Sequence, residues 1–297
     1  MAPLSPSLRH RLVAAYVRRT RRGTDDEIPD VAAFEERFLA GTPREPAVPK
    51  DYAESTYSVP GLRVLEHVPA GTRPTRTLVH LHGGGYTKTA QPQQFGWARR
   101  RARELGMRVV FPLYPLAPEH TWRDSRDALV ALLEQVRADS PGGVVLSGDS
   151  AGGGYALSVA QGVRDSGGTA PDALVLISPW VDLSASAPDQ PVAARRDPWL
   201  TLPTLHVYAR WWAGSEEDRA RPEASPALGD LHDLPRTLLF CGTHDLLHPE
   251  NVLLAERARE AGWDLTFVEG PGLMHVWPVL PVPEAKVANR RVREFLS

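Results

Sequence analysis

Short runs of apolar and β-branched residues recur through most of the chain, and we interpret them as strands. They occupy residues 62–68, 77–81, 107–111, 143–146, 173–177, 237–241 and 265–268. The intervening stretches carry apolar residues at helical spacing, as in Leu129, Leu132, Leu133 and Val136. Strands that are apolar throughout and alternate with helices predict an α/β fold, with a mostly parallel sheet and helices on both faces.

Two regions interrupt this alternation, and we expect each to form helices that cap the sheet. They are residues 1–50, which end in a proline-rich stretch, and residues 184–226. The core would then comprise residues 51–183 and 227–297, within one large domain. The second region is rich in large apolar side chains, and these either line a pocket beneath a lid or belong to the core: Trp199, Leu200, Leu202, Leu205, Tyr208, Trp211 and Trp212.

The formal net charge of -2 gives the chain no global attraction for nucleic acid or for an anionic membrane. We therefore expect a small uncharged substrate. The N-terminal arginines form a dense basic cluster, and we interpret them as a solvated helix face because no recognised nucleic-acid motif accompanies them. The alternative is contact with a membrane surface or a nucleic acid. The cluster consists of Arg9, Arg11, Arg18, Arg19, Arg21 and Arg22.

Cysteine content and hydropathy bear on the compartment. The chain has one cysteine, Cys241, so no intramolecular disulfide can form, and a reducing cytoplasm is expected. No uncharged apolar run approaches the ~18 residues that span a bilayer, and the N-terminus lacks a secretory signal pattern. We predict a soluble cytoplasmic protein without integral membrane association, and the sequence leaves open whether it forms a homodimer.

The segment GDSAG at residues 148–152 follows a predicted strand and precedes a helical pattern. In that context the motif G-x-S-x-G indicates a strained strand-to-helix turn that exposes a nucleophilic serine, Ser150. The flanking glycines let strand and helix approach closely. The N-terminus of the helix favours developing negative charge beside the serine.

A second glycine-rich segment, HGGGY at residues 82–86, follows the predicted strand 77–81. Glycines leave backbone N–H groups unshielded, so that a loop of this kind can direct them at an oxyanion. We predict an oxyanion hole formed by Gly83, Gly84 and Gly85 together with the N–H of Ala151, the residue after the nucleophile.

In these two motifs the chain resembles the hormone-sensitive-lipase-like branch of the α/β-hydrolases, which are carboxylesterases. YPLAPEH at residues 114–120 and SPWVDL at 178–183 are similar to two further segments of that branch. The resemblance implies the α/β-hydrolase fold, with a central sheet of about eight strands and a helical cap. Pro115 departs from the family pattern, which usually has arginine there.

The triad order in this fold is Ser, then Asp or Glu, then His. By resemblance, Asp245 lies where the family carries its catalytic acid, and His275 lies in the loop that bears the catalytic histidine. The family often has an acidic residue four positions after the acid, where this chain has Pro249. We predict Ser150 as nucleophile, His275 as general base and Asp245 as the residue that orients the histidine.

Other interpretations of these segments are weaker. Asp182 is an alternative acid, although it follows an earlier strand, and Asp149 is expected to support the turn beside the nucleophile. His244 and His248 have the spacing of a helical metal pair, but Pro249 follows and no third ligand is evident nearby. Cys241 is interpreted as a small buried hydrophobe. We predict no metal and no organic cofactor.

Together these features predict hydrolysis of short- to medium-chain acyl esters through an acyl-enzyme. The alternatives are a lactone hydrolase or steryl-acetyl hydrolase of the same branch, and a non-catalytic small-molecule-binding protein on the same scaffold. Specificity would depend on the aromatic residues predicted to line the pocket: Tyr86, Trp180, Tyr208, Trp211 and Trp212.

Overall fold

The computed structural model describes residues 5–21, 31–41, 45–54, 59 and 61–297. Its strands are β1 (Ala53–Glu54), β2 (Arg63–His67), β3 (Arg76–Leu81), β4 (Met107–Leu113), β5 (Gly143–Asp149), β6 (Ala173–Ile177), β7 (Thr237–Gly242) and β8 (Leu265–Gly270). Its helices are α1 (Leu8–Arg21), α2 (Val31–Gly41), α3 (Pro92–Leu105), α4 (Arg126–Ala138), α5 (Ala151–Asp165), α6 (Gln190–Arg196), α7 (Leu202–Ala213), α8 (His248–Glu260) and α9 (Ala285–Leu296). Short 3-10 turns lie at Trp122–Asp124, Glu217–Ala220, Pro226–Leu228 and Trp277–Val279.

The described strands form one sheet of eight in the order β1-β2-β4-β3-β5-β6-β7-β8. Strands β3 to β8 pair in parallel, whereas β2 runs antiparallel to both of its neighbours, β1 and β4. The predicted α/β class and mostly parallel sheet are therefore confirmed. Each of the seven predicted apolar runs is a strand, and the sequence missed only β1, which is too short to show a pattern.

Helices cover both faces of the sheet because its central strands are apolar on both sides. In β6, Leu174 and Leu176 belong to a core cluster with α4, α5 and α8, and Val175 and Ile177 belong to a second cluster with α3 and α9. Alternate residues of a strand point to opposite faces, so one five-residue strand contributes to two cores. The result is a rigid sheet whose loops can hold a site.

Residues 184–226, which we name the cap segment, contain α6 and α7 and pack against α2. Phe34 of α2 stacks on Trp211 of α7 with ring centroids 5.9 Å apart, and Phe38 meets Tyr208 edge-on at 5.8 Å. The two regions that interrupt the sequence pattern thus contact each other through aromatic rings. Such pairs add stabilisation beyond the area that they bury.

Helix α1 contacts the loop after β8. The backbone N–H of Met274 donates to Nε2 of His10 at 3.2 Å. Arg9, Arg11, Arg18 and Arg19 occupy exposed positions on this helix, and Arg22 lies outside the described residues. Across the part of the chain that the structure describes, no helix is long and apolar enough to cross a membrane.

Candidate active site

Ser150 occupies the turn between β5 and α5. Its φ of 53° and ψ of -125° lie in a region that residues with a Cβ seldom adopt, so the backbone there is strained. Close packing holds it, because a Cβ added to Gly152 would lie only 2.2 Å from the carbonyl oxygen of Leu81. The N–H of Ser150 also donates to the oxygen of Ile177 at 2.8 Å. The predicted strand-turn-helix context is present.

Three side chains from different loops form a continuous hydrogen-bonded chain. Nε2 of His275 is 2.9 Å from Oγ of Ser150, and Nδ1 of His275 is 2.9 Å from Oδ2 of Asp245. Ser150 follows β5, Asp245 follows β7 and His275 follows β8. The carboxyl ends of parallel strands meet at one edge of a sheet, so residues far apart in sequence converge there.

Burial and neighbouring charges shift the pKa values of His275 and Asp245 in opposite directions. Burial lowers the pKa of His275, but the charge of Asp245 and the hydrogen bond that His275 donates to it outweigh burial, and the pKa is raised overall. Burial raises the pKa of Asp245, yet His275 and hydrogen bonds from Ser178 and Leu247 lower it further, so Asp245 stays ionised. The arrangement makes the imidazole a stronger base, which readily accepts a proton near neutral pH.

The glycine loop after β3 faces Ser150. Gly84 has a φ of 128°, which favours glycine, and within the described residues the N–H groups of Gly84 and Gly85 donate to no protein acceptor. Ala151 is the first residue of α5, where backbone N–H groups have no acceptor inside the helix. All three donors are therefore available to an oxyanion beside Ser150.

Gly83 differs from its two neighbours, and the prediction that its N–H faces an oxyanion is wrong. This N–H donates to Oδ1 of Asp149 at 3.1 Å. Asp149 also accepts from Nε2 of Gln94 at 2.8 Å, and Nε2 of His80 lies 3.2 Å away. Asp149 thus ties the glycine loop to the nucleophile turn, as the support role predicted for it requires.

Ser150, His275 and the glycine loop border a cavity of about 490 Å³. This volume lies in the lower half of the range of small-molecule sites. Its wall combines the glycine loop and His275 with apolar residues from the cap segment and the loops after β6, β7 and β8: Trp180, Trp199, Leu200, Leu205, Tyr208, Leu247, Val276, Val279 and Leu280. Polar side chains of Lys88, Gln91, Gln93, Thr201 and Thr204 line it as well.

Of the five aromatic residues predicted for the pocket, only Trp180 and Tyr208 line the cavity. The prediction is wrong for Tyr86, Trp211 and Trp212. The rings of Tyr86 and Trp212 stack on each other 4.4 Å apart, and both are almost fully buried. Trp211 packs on Phe34 of α2 instead. These three rings join the cap segment to the core.

Comparison with known proteins agrees with this geometry. A model of the α/β-hydrolase fold family matches residues 78–279. The chain belongs to the α/β-hydrolase fold family. This α/β-hydrolase is 38% identical over 215 residues to an acetyl-hydrolase of Streptomyces hygroscopicus, a match that covers 69% of the chain and 71% of the relative. It is 30% identical over 259 residues to an ethyl acetate hydrolase of Pseudomonas putida, over 82% of the chain and 80% of the relative.

Solved structures support the same assignment. An esterase from the bacterial hormone-sensitive lipase family superposes on this α/β-hydrolase with a TM-score of 0.79 and 28% identity, over 99% of this chain and 98% of that one. The resemblance to the hormone-sensitive-lipase-like branch is therefore confirmed. So are the α/β-hydrolase fold and the prediction of a carboxylic ester hydrolase.

The alternative roles weighed for other residues of this α/β-hydrolase do not agree with their contacts. Asp182 accepts hydrogen bonds from Ser184 and Ser186, and it does not contact His275. Nε2 of His248 lies 2.7 Å from Oε1 of Glu269. The thiol of Cys241 is buried 3.5 Å from Oδ2 of Asp245, consistent with a small core residue.

Two residues that contact or lie beside Asp245 and His275 were not predicted from the sequence. The hydroxyl of Ser178 accepts the N–H of Val276 at 3.0 Å and hydrogen bonds to Asp245, so it links both loops of the triad. Its place in the family-like segment SPWVDL was a signal that could have identified it. Asp197, buried next to Asp245 and His275, has no motif around it and gave no such signal.

Proposed function

We propose that the enzyme cleaves esters of short acyl groups, with Ser150 as nucleophile, His275 as general base and Asp245 as the residue that orients the histidine. The observation that best supports these roles is the unbroken chain of hydrogen bonds from Asp245 to Ser150, at 2.9 Å for each contact of His275. This chain ends in a cavity beside the N–H groups of Gly84 and Gly85, which donate to no acceptor among the described residues.

In the first half of the reaction, Oγ of Ser150 attacks the ester carbonyl carbon while Nε2 of His275 takes its proton. Negative charge develops on the former carbonyl oxygen and is stabilised by the N–H groups of Gly84, Gly85 and Ala151. Each such donor contributes about 3 kcal/mol in a dry site. The imidazolium then gives its proton to the departing alkoxide, and the acyl group stays on Ser150.

In the second half, water replaces the alcohol. The oxygen of the water attacks the acyl carbon while His275 accepts a proton from that water. The same backbone donors stabilise the second oxyanion. The bond to Ser150 then breaks, and His275 returns the proton to the serine oxygen. Asp245 remains ionised throughout, because its role is to fix the tautomer and to stabilise the imidazolium.

The short acyl group is inferred from the cavity wall. Tyr208 packs directly on the glycine loop, since a Cβ added to Gly85 would lie 2.7 Å from its ring carbon Cδ2. Trp180 follows β6 and lines the cavity, and its backbone N–H donates to the carbonyl oxygen of Ser150 at 2.9 Å. Two large rings so close to the reacting atoms limit the depth available to an acyl chain.

We propose an uncharged small ester as substrate, and a reducing compartment such as the cytoplasm as the site of action. Both follow from the sequence, namely the net charge of -2 and the single cysteine, Cys241. The names of two relatives point to acetyl groups, as an acetyl-hydrolase and an ethyl acetate hydrolase.

The test is the rate of hydrolysis of p-nitrophenyl esters from acetate to laurate and of simple γ- and δ-lactones by purified protein. Ser150→Ala, prepared in parallel, gives the background. We expect kcat/KM to be highest for acetate to butyrate and to fall stepwise with each methylene, because an apolar pocket discriminates by about 1 to 3 kcal/mol per methylene.

A preference for laurate would contradict the proposed depth of the cavity. Rates with lactones that exceed those with every open-chain ester would favour the lactone hydrolase instead. Equal rates for the parent protein and Ser150→Ala would exclude the proposed nucleophile.

A further inference from the structure

A second buried carboxylate lies beside the triad. Asp197 is the first residue after α6, in the cap segment, and its side chain is inaccessible to solvent, like that of Asp245. An ionisable group in such a position needs hydrogen bonds that compensate for lost hydration. The donors that it uses come from two different parts of the site.

One oxygen of Asp197 contacts the turn that carries the triad acid. Oδ2 accepts the N–H of Leu246, the residue directly after Asp245, at 2.7 Å. The next N–H, from Leu247, donates to Oδ1 of Asp245 at 3.0 Å. Consecutive backbone donors of one turn are therefore divided between the two carboxylates, so a shift of Asp197 would displace the turn that positions Asp245.

The other oxygen of Asp197 organises the wall of the cavity. Oδ1 accepts the N–H groups of Trp199 at 2.6 Å and of Leu200 at 2.9 Å. Asp197 itself has an extended backbone, with a φ of -64° and a ψ of 125°, as a residue before proline favours. The resulting turn holds the ring of Trp199 edge-on to the His275 ring, with centroids 5.7 Å apart and planes at 87°.

We propose that Asp197 is a positioning residue that fixes the cap segment against the triad, setting the turn of Asp245 with one oxygen and the ring of Trp199 with the other. This role deepens the proposed function and rests on the assignment of His275 and Asp245. It also makes Trp199 a wall that keeps water from the imidazole while the alcohol leaves.

Charge adds to this geometric role. The ionisable groups that act on Asp197 are Asp245, on the turn after β7, and His275, on the loop after β8. Burial and the repulsion of Asp245 raise the pKa of Asp197 to about 6, although His275 and the backbone donors oppose the rise. Above that pH, Asp197 is a second negative charge near the imidazole, and it helps to raise the pKa of His275.

The variant Asp197→Asn removes that charge and turns an amide N–H₂ toward one of the backbone N–H groups. We expect kcat/KM for the best ester to fall about 10- to 100-fold, mainly through kcat, since small displacements of catalytic groups have effects of that size. The acid limb of the kcat/KM profile should move to lower pH, because an imidazole with one anionic neighbour fewer protonates less readily.

Asp182→Asn is the matched control. Asp182 is also buried, lies just before the cap segment and accepts hydrogen bonds from Ser184 and Ser186, but it does not contact the triad. This variant is expected to lose thermal stability without moving the acid limb. A limb that moves equally in both variants would assign the effect of Asp197 to loosened structure and overturn the proposal.

Parent kcat/KM and an unchanged acid limb in Asp197→Asn would also overturn it. If that variant does not fold, Trp199→Ala decides, because it keeps the carboxylate and removes the ring that Asp197 places; unchanged kcat then contradicts the proposal. The pKa of His275, measured by NMR in Ser150→Ala with and without Asp197→Asn, reports the coupling without turnover. It separates failure of this inference from failure of the proposed nucleophile.

Discussion

The catalytic edge of the sheet and the cap segment both contribute to one cavity, but they are held in place by different means. Ser150, Asp245 and His275 lie in the turn and loops that follow β5, β7 and β8, and they are fixed by hydrogen bonds of defined length. In the cap segment, Tyr208 and Trp212 are fixed by packing of rings against other rings. Substitutions at the edge should therefore change the chemistry, whereas substitutions of ring-packed cap residues such as Tyr208 and Trp212 should change stability or the shape of the pocket.

The largest effect is expected at the nucleophile. Ser150→Ala should lower kcat for ester hydrolysis by about a millionfold, since no other group supplies the attacking oxygen. The melting temperature should stay near that of the parent protein, because the change removes one partly buried hydroxyl and its hydrogen bond to His275 but no packing. Steady-state kinetics tests the loss of kcat, and thermal unfolding tests the unchanged melting temperature. A large loss of stability would contradict the expectation that substitutions at the edge change the chemistry alone.

The next largest effect is expected at Asp245. Asp245→Asn should retain substrate binding but lower kcat by about 10⁴-fold, because an amide favours the wrong tautomer of His275. Kinetics on the same ester would check this, with Asp182→Asn as the control that leaves kcat unchanged. Full activity of Asp245→Asn would mean that the orienting acid lies elsewhere.

Two cap residues should behave differently from each other. Trp212 is fully buried against Tyr86, so Trp212→Ala should lower the free energy of unfolding by about 3 to 5 kcal/mol and leave the acyl-chain preference unchanged. Tyr208 lines the cavity, so Tyr208→Ala should shift the preference to longer chains, by about 1 to 3 kcal/mol per methylene. Denaturant unfolding measures the stability of both variants, and the ester panel measures their acyl-chain preference. The same change in both variants would contradict the assignment of Trp212 to the core and of Tyr208 to the cavity wall.

The smallest expected effect is on the pH profile. The base must be neutral to act, and the pKa of His275 is raised, chiefly because Asp245 outweighs burial. Activity should therefore be lost on acidification at a pH above the ordinary histidine value of about 6.5. A kcat/KM profile on a non-ionising ester measures it, and a midpoint well below 6.5 would show that burial dominates.

Sequence alone predicted which side chains meet at this edge of the sheet, because the geometry of the edge is encoded locally. Ser150 needs a tight turn, and only glycines such as Gly152 permit it, so the pattern that makes the turn also marks the nucleophile. Asp245 and His275 were then predicted from chain order and from the loops that bear them, and the structure brings both into one hydrogen-bonded chain with Ser150. Gly83 was assigned wrongly because its N–H donates to Asp149. This contact joins the ends of two neighbouring strands, β3 and β5, and a sequence motif does not reveal it.

The cap segment was predicted less well, because its aromatic residues are similar in sequence and differ only in their tertiary partners. Trp211 and Trp212 are neighbours on α7 with Tyr208, yet Trp211 stacks on Phe34, Trp212 stacks on Tyr86, and Tyr208 lines the cavity. Helical spacing gives the direction of each side chain around α7 but does not tell which element will cover it. Asp197 was missed for the same reason, since its donors lie at Trp199 and, across the fold, at Leu246.

The central claim, that Ser150 is the single activated nucleophile, is tested most directly by intact-protein mass spectrometry after treatment with an organophosphate. The account predicts one adduct per chain on the parent protein, located by peptide mapping at Ser150, and none on Ser150→Ala. His275→Ala should react far more slowly, because the serine then lacks its base. A stoichiometric adduct at another residue, or equal labelling of Ser150→Ala, would contradict the account.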